Sequence, residues 1–549
     1  MQLVAGLLLS QLVVPAKALQ VQGVGREHSD SSKGHDPLAT NRLDVRTRIS
    51  GGRYLVAIAG FLSLASLVLG ATPRPYYPLQ YEGIEGYRRF VGATSVNEIP
   101  AFTFTFQSDP YFDQIIYTVG THSSLFSFVQ TSSGITRQVY HDQMIAAQID
   151  ENGAVSRDDG ARLKDLVTLE ALITGRIAFE RPTSQSPRGA HVVVPSGWPV
   201  DLTFTPGGRL WRATIHGTED QEFSPLSYSV VGGFNVVTDW LIGTKSTRPK
   251  SVELARGPIV PPSMKGPAWK WRAATSRWGE SFQAYQNRPM MPISINGVRA
   301  ECILDTGSAG LVISRGLATR ADVRNVGPAL ISRSAGQASV SYARADLVAG
   351  PAELRSAVVL TGLPSPGGYS VCGYDFLASF IVEIKTQNAA IGERPSTAPV
   401  CRNACVRLDT WSKTAISKMR IGSFSVDRGS IDTGADDPLV VDAHLRFTGG
   451  EPSTPVDCGS HTYVPRHLAI DGVDVGFVSA CYAQIDDSYY QAVVGAGLLA
   501  RYDLTLDLGD GLLWLQPSPR ALHPSKLGQD RSVSRSRHVF KIDRVFEPL

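Results

Sequence analysis

Asp305-Thr306-Gly307 and Asp432-Thr433-Gly434 are the residues of this 549-residue chain whose type and setting could do chemistry. Each triplet is entered by one apolar run and left by another. Apolar residues stand seven and eight positions beyond each Asp: Val312 and Ile313 in the first copy, Leu439 and Val440 in the second. Two carboxylates brought within hydrogen-bonding reach cannot both ionise, so they share one proton and titrate as a pair. The ionised member can take a proton from a water held between them, and the protonated member can donate to a polarised acceptor. Gly307 and Gly434 would let the backbone approach the carboxylates closely. A single Asp-Thr-Gly would be read as an Asx-type turn; two copies in matching settings point to a shared site.

The elements around the triplets repeat as well. Gly373-Tyr-Asp-Phe-Leu-Ala-Ser-Phe-Ile-Val-Glu-Ile384 follows Asp305, and Gly495-Ala-Gly-Leu-Leu-Ala-Arg-Tyr-Asp-Leu-Thr-Leu506 follows Asp432 at a similar distance. Both place Gly first, Leu four positions on (Leu377, Leu499) and an aromatic seven on (Phe380, Tyr502), before an alternating strand. Such repetition means two copies of one supersecondary unit. The unit reads as strand, triplet turn, strand, hairpins, a short Gly-initiated helix and a closing strand.

These residues resemble the aspartic proteases, and specifically two retropepsin-type lobes fused in one chain, over about residues 285–517. Asp432-Thr-Gly-Ala-Asp-Asp437 resembles the retroviral protease turn, and Asp305-Thr-Gly-Ser308 the pepsin one. The separation of the two Asp along the chain suits two lobes of retroviral protease size. The resemblance implies a mainly β, bilobal retropepsin/pepsin-like fold and an aspartic-type endopeptidase with Asp305 and Asp432 as its catalytic pair. Thr306, Gly307, Ser308, Thr433, Gly434 and Ala435 would support that dyad, the two Thr by hydrogen-bonding across to the opposite lobe. A Ser308 hydroxyl could donate to the adjacent carboxylate where Ala435 cannot, so the expected pH optimum is mildly acidic. The partner implied is a peptide or protein substrate, with no metal and no cofactor. Because one chain supplies both half-sites, the catalytic unit is expected to be a monomeric pseudo-dimer. The competing reading is a non-catalytic retropepsin-like binding or scaffold module of the cell envelope.

Residues 1–71 read as a leader. The apolar stretch 54–71, preceded by Arg46, Arg48 and Arg53, fits a signal peptide better than Leu7 to Val14, which lacks a basic residue before it. An uncleaved 54–71 could serve as a membrane anchor. The expected location is therefore periplasmic or secreted, or membrane-anchored. A hydrophobic content of 43% and a charged content of 19% indicate globular material. The length allows three units of ordinary size. The net charge is only +3, less than the tail 518–549 contributes alone with seven Lys/Arg against three Asp/Glu. A nucleic-acid partner is therefore not indicated.

The expected division is a separate β-rich (α+β) domain over 72–243, a Pro-rich basic linker over 244–280, lobes at 281–392 and 416–517 joined by 393–415, and the basic tail. In the first domain Ala101–Gln107, Asp201–Thr205 and Trp211–Ile215 alternate as half-buried strands. A helix is expected from about Gly160 to Thr174, capped by Asp158 or Asp159 and ended by Gly175. His122, His141, His191 and His216 are scattered without metal-ligand spacing. The linker is read as a spacer, or as a processing site or a strand laid over the protease. Asn296-Gly297 and Asp471-Gly472 are hairpin turn signals, and a flap hairpin is expected within 329–349, around Gly336. Six cysteines at 302, 372, 401, 405, 458 and 481 permit disulfides or buried thiols, with 15 connectivities open.

Overall fold

A computed structural model describes residues 83–518, apart from 109–110, 159, 219, 268, 273–276, 282–284, 286, 334–335, 363–367, 386–387, 396–399, 402–403, 449–457, 459–462, 484 and 486–489. The two N-terminal apolar segments, 54–71 among them, and the tail beyond Ser518 lie outside the described residues. Among the described residues no helix is long and apolar enough to cross a membrane.

Alternation sets the first half of the chain. Phe102, Phe104 and Phe106 point inward along the strand Phe102–Phe106 while Thr103 and Thr105 face out, so every second residue feeds the core. Six strands from Phe102–Phe106 to Val155–Asp158 follow one another across a seven-stranded sheet, and Ser251–Leu254 returns to pair with the first of them. Seven further strands, Pro182–Ser186 to Lys245–Thr247, form a second antiparallel meander in plain sequence order. Both sheets share one core with the helix Ala161–Ile173, which contributes Leu166, Leu169 and Leu172. The helix begins at Gly160, whose N–H is held by Asp158 Oδ1 at 2.6 Å, and Gly175 follows it in the left-handed conformation. Phe104 and Trp240 are buried in this core. Truncating either ring would cost about 3–5 kcal/mol.

The second half holds the two copies of the repeat. In the first, Val298–Leu304 leads into Asp305 and pairs in parallel with Ser370–Cys372, which also pairs antiparallel with Val312–Ile313. In the second, Phe424–Asp432 pairs in parallel with Ala492–Gly495, which pairs antiparallel with Leu439–Asp442. Both copies thus thread a late strand between the strands before and after the triplet. The short helices Tyr374–Leu377 and Ala496–Leu499 follow directly. The hairpin turns form as their sequence asks, with both central residues in the left-handed region that such turns require. Asn296, Gly297, Asp471 and Gly472 all take positive φ.

Most of the first copy lies in an eight-stranded sheet, and much of the second closes a six-stranded barrel. A further six-stranded sheet joins them: Phe380–Lys385 from the first copy pairs with Tyr502–Asp507 from the second, Val382 opposite Leu506. The two alternating strands that end the repeat units are therefore neighbours.

The stretch 244–280 is more than a spacer. It supplies four strands, two to the N-terminal sheets and two, Lys270–Trp271 and Arg277–Ser281, to the sheets of the repeat. Trp269 and Trp271 pack on Phe380, and Trp278 lies against Gly350. Trp411, from the 393–415 stretch, is buried in the core of the N-terminal sheets. All six cysteines pair: Cys302–Cys372 ties two adjacent strands, Cys458–Cys481 joins residues either side of the Asp471-Gly472 turn, and Cys401–Cys405 closes a short loop. Three disulfides fit a protein that matures in an oxidising compartment.

Candidate active site

Each triplet leaves its strand where backbone pairing ends, and each carboxylate first satisfies itself locally. Gly307 N–H donates to Asp305 Oδ1 and Gly434 N–H to Asp432 Oδ1, both at 2.8 Å. The two copies then lock together through their threonines. Thr306 Oγ1 donates to the Ile431 carbonyl at 2.6 Å and accepts from Thr433 N–H at 3.0 Å; Thr433 Oγ1 donates to the Leu304 carbonyl at 2.6 Å and accepts from Thr306 N–H at 3.0 Å. All four bonds are buried and each crosses between copies.

That lock brings Asp305 and Asp432 together. The Asp305 carboxyl is hydrogen-bonded to Asp432. Each glycine lies against the other copy's acid: a Cβ on Gly307 would come within 2.4 Å of the Asp432 carboxylate carbon, and one on Gly434 within 2.3 Å of that of Asp305. Any larger residue would push the pair apart. Burial, followed by the Asp432 charge and the shared hydrogen bond, holds the Asp305 carboxyl well above the ordinary carboxylate range, against the pull of Gly307 N–H and Arg288. Asp432 is buried and Asp305 is half-buried, so the pair keeps one accessible side.

Ser308 departs from expectation. Its hydroxyl donates to the Gly310 carbonyl at 3.1 Å, two residues on, rather than to Asp305. The local turn competes for the single hydroxyl proton and wins. Ala435 is buried, donates its N–H to the Asp432 carbonyl at 3.2 Å and accepts from Ala496 N–H at 2.7 Å. The two positions after the triplets therefore both serve the turn, and neither reaches a carboxylate.

Arg288 is the neighbour that the sequence concealed. It lies near the start of the first copy, yet its Nε donates to the Gly434 carbonyl at 2.6 Å and its Nη2 pairs with Asp436 Oδ2 at 2.9 Å. Burial raises the Asp436 carboxyl to about 6 despite that guanidinium. Asp437, the next residue, accepts from Tyr463 OH at 2.8 Å. No local pattern announces a pair so far apart in the chain; only the run Asp436-Asp437 hinted that a cation was needed. The strands Arg324–Arg333 and Gly336–Ala349 pair antiparallel where a flap hairpin was expected, and residues 334–335 between them lie outside the described residues.

A second group of acids lies between the first N-terminal sheet and the first repeat copy. Asp150, Glu151 and Asp375 meet Arg137 and Lys413 around a small cavity of about 20 Å³. That is room for a single water. Glu151 bonds Arg137 and accepts from Tyr342 OH at 2.8 Å. Asn152 pairs with the Val358 backbone in both directions and donates to Asp375 Oδ2 at 3.1 Å. Burial raises Asp150 to about 6 and Asp375 to about 8. Burial also pushes Glu151 upward, but Arg137 and Lys413 outweigh it and hold that carboxyl low.

No protein-family model matches the sequence, and no curated protein matches it. Among solved structures the chain is similar to an aspartic proteinase from Irpex lacteus, at 10% identity over 45% of this chain and 99% of that one, with a TM-score of 0.33. A likeness at that level does not establish a family.

Proposed function

We propose that the chain is an aspartic endopeptidase whose water is activated by Asp305 and Asp432. The observation that carries the reading is reciprocity: each copy's Gly makes room for the other copy's carboxylate, and each Thr holds the other copy's backbone. In this mechanism the carboxylate of the pair that lacks the shared proton takes a proton from the bridging water as the water oxygen attacks the peptide carbonyl carbon. The carboxyl that holds the shared proton donates it to the carbonyl oxygen. The tetrahedral diol then collapses: a proton passes to the amide nitrogen, the C–N bond breaks, and the diol hydroxyl returns its proton to the pair. Donor and acceptor come from different copies, so neither half is competent alone. Substrates are peptides or proteins, no cofactor is needed, and one chain forms the complete site.

The test is hydrolysis of a peptide library by the protein, with and without a statine-type inhibitor and at several dilutions. Inhibitable cleavage with concentration-independent specific activity supports the reading. Uninhibited cleavage, or activity that falls on dilution and returns on concentrating, overturns the assignment or its one-chain form.

A further inference from the structure

The solvent face of the second N-terminal sheet carries a cluster unrelated to the acid pair. His191, Asp201 and His216 stand on three neighbouring strands, Gly189–Val193, Pro199–Phe204 and Leu210–His216. Alternation buries Val192, Val200, Leu202 and Ile215, and so turns these three side chains outward together. His191 is directly opposite Asp201 in the ladder. His216 lies two residues beyond Thr214, the residue opposite Asp201 on the other side, which is the diagonal position on the same face.

Each Asp201 oxygen is committed to one imidazole. Oδ1 is 2.6 Å from His191 Nδ1, and Oδ2 is 2.8 Å from His216 Nε2. Ligand atoms of the three residues all lie within 4.8 Å of one another. Behind His216, its Nδ1 meets Asp220 Oδ1 on the next strand at 3.1 Å. With a cation bound, the Asp220 carboxylate at Nδ1 would hold the ring proton there and leave the Nε2 lone pair for the metal. An imidazole N–H facing each Asp201 oxygen satisfies both contacts without a metal, and a cation would take the place of those protons between the same donor atoms. All three side chains are about a third or more exposed. Simple ion pairing here would therefore stabilise the sheet little.

We propose that His191, Asp201 and His216 bind a divalent first-row cation of the zinc class, with Asp220 holding the His216 ring from behind. Two imidazole nitrogens and a carboxylate oxygen form a donor set suited to zinc. Donor atoms around one tetrahedral zinc stand about 3.3 Å apart, which small side-chain rotations reach from the present positions. The open outer side leaves solvent to complete the coordination. The sequence hides the site because its ligands stand ten and fifteen residues either side of Asp201 and meet only through the register of the meander.

The experiment is calorimetric titration of the chelator-stripped full chain with Zn²⁺ alone, near neutral pH. One equivalent should bind. His191→Ala or His216→Ala should weaken binding by more than about 100-fold, and Asp220→Asn by about 10-fold. His444→Ala and His467→Ala, which remove exposed His–Asp pairs elsewhere, should leave it unchanged. Zinc X-ray absorption of the loaded wild-type protein should show two imidazole ligands, a readout that depends on no variant's folding. Lack of a stoichiometric site in the wild type, undiminished affinity in the His191→Ala/His216→Ala double variant, or a spectrum without paired imidazoles would overturn the proposal.

Discussion

The acid pair at Asp305 and Asp432 and the acid cluster at Asp150, Glu151 and Asp375 each set one buried acid, Asp432 or Asp150, beside half-buried ones, and both contain carboxyls raised far above their ordinary range. They differ in what balances the charge. At the cluster three acids face two cations, Arg137 and Lys413, so one proton is retained and the group is close to neutral around its small cavity. At the pair two acids face each other with one oxygen of each already bound by a glycine N–H, and one side stays accessible. Burial alone therefore does not mark a site for chemistry.

The largest expected effect sets the two groups against each other directly. Asp305→Asn or Asp432→Asn should lower kcat for peptide hydrolysis by more than about 10³-fold, whereas Asp375→Asn should leave it within about threefold. Comparable loss in all three variants would show that the cluster takes part, and retained turnover in either dyad variant would remove the protease reading.

Next comes pH-dependent stability at the cluster. Asp375 rises from 3.8 to about 8 on folding. Its contribution is therefore fully present below about pH 4 and is lost as pH climbs toward about 8. Asp375→Asn should match wild type at or below about pH 4 and be more stable by about 2–4 kcal/mol near pH 8, read by thermal or denaturant unfolding. A variant that loses equal stability at both pH values would show that the carboxyl contributes packing rather than charge.

A smaller effect is expected at the lock between copies. Thr306→Val keeps the shape but leaves the Ile431 carbonyl and Thr433 N–H buried without partners. That should cost about 1–3 kcal/mol. Thr306→Ser should restore most of it in the same unfolding measurement; equal loss with Val and Ser would place the effect in packing instead. The smallest concerns Ala435→Ser. Ser308 spends its proton on Gly310. A matching hydroxyl at 435 should therefore move the optimum by less than about 0.3 pH units. An acid shift of about one unit would mean that the new hydroxyl reaches Asp432.

What could be read in the sequence was local or repeated. The triplets, the Gly-initiated helices, the Asn296-Gly297 and Asp471-Gly472 turns and the helix Ala161–Ile173 each follow from neighbours in the chain. What could not be read depends on which strands become neighbours. Ser251–Leu254 and Arg277–Ser281 sit in a Pro-rich basic stretch read as a spacer, a processing site or a strand over the second half, because composition says nothing about which open sheet edge a strand will join. Arg288 finds Asp436, and Asn152 finds Val358, across separations of 148 and 206 residues. Ser308 was expected to donate to the adjacent Asp305 carboxylate, three residues back, but a carbonyl two residues on takes its proton instead.

The pairing of Phe380–Lys385 with Tyr502–Asp507 also constrains how the protein is made. A ribosome releases the first of these strands long before its partner. Until then Val382 and Ile384 border an unpaired strand edge, and such edges recruit other chains. Asn388–Glu393, made at once, can cover one side, with Ala389 and Ala390 facing Ile384 and Glu383. The other side waits for the last strands of the fold. Truncation after the first repeat would thus leave a nascent chain prone to aggregation, and the C-terminal strands act as its closing seam.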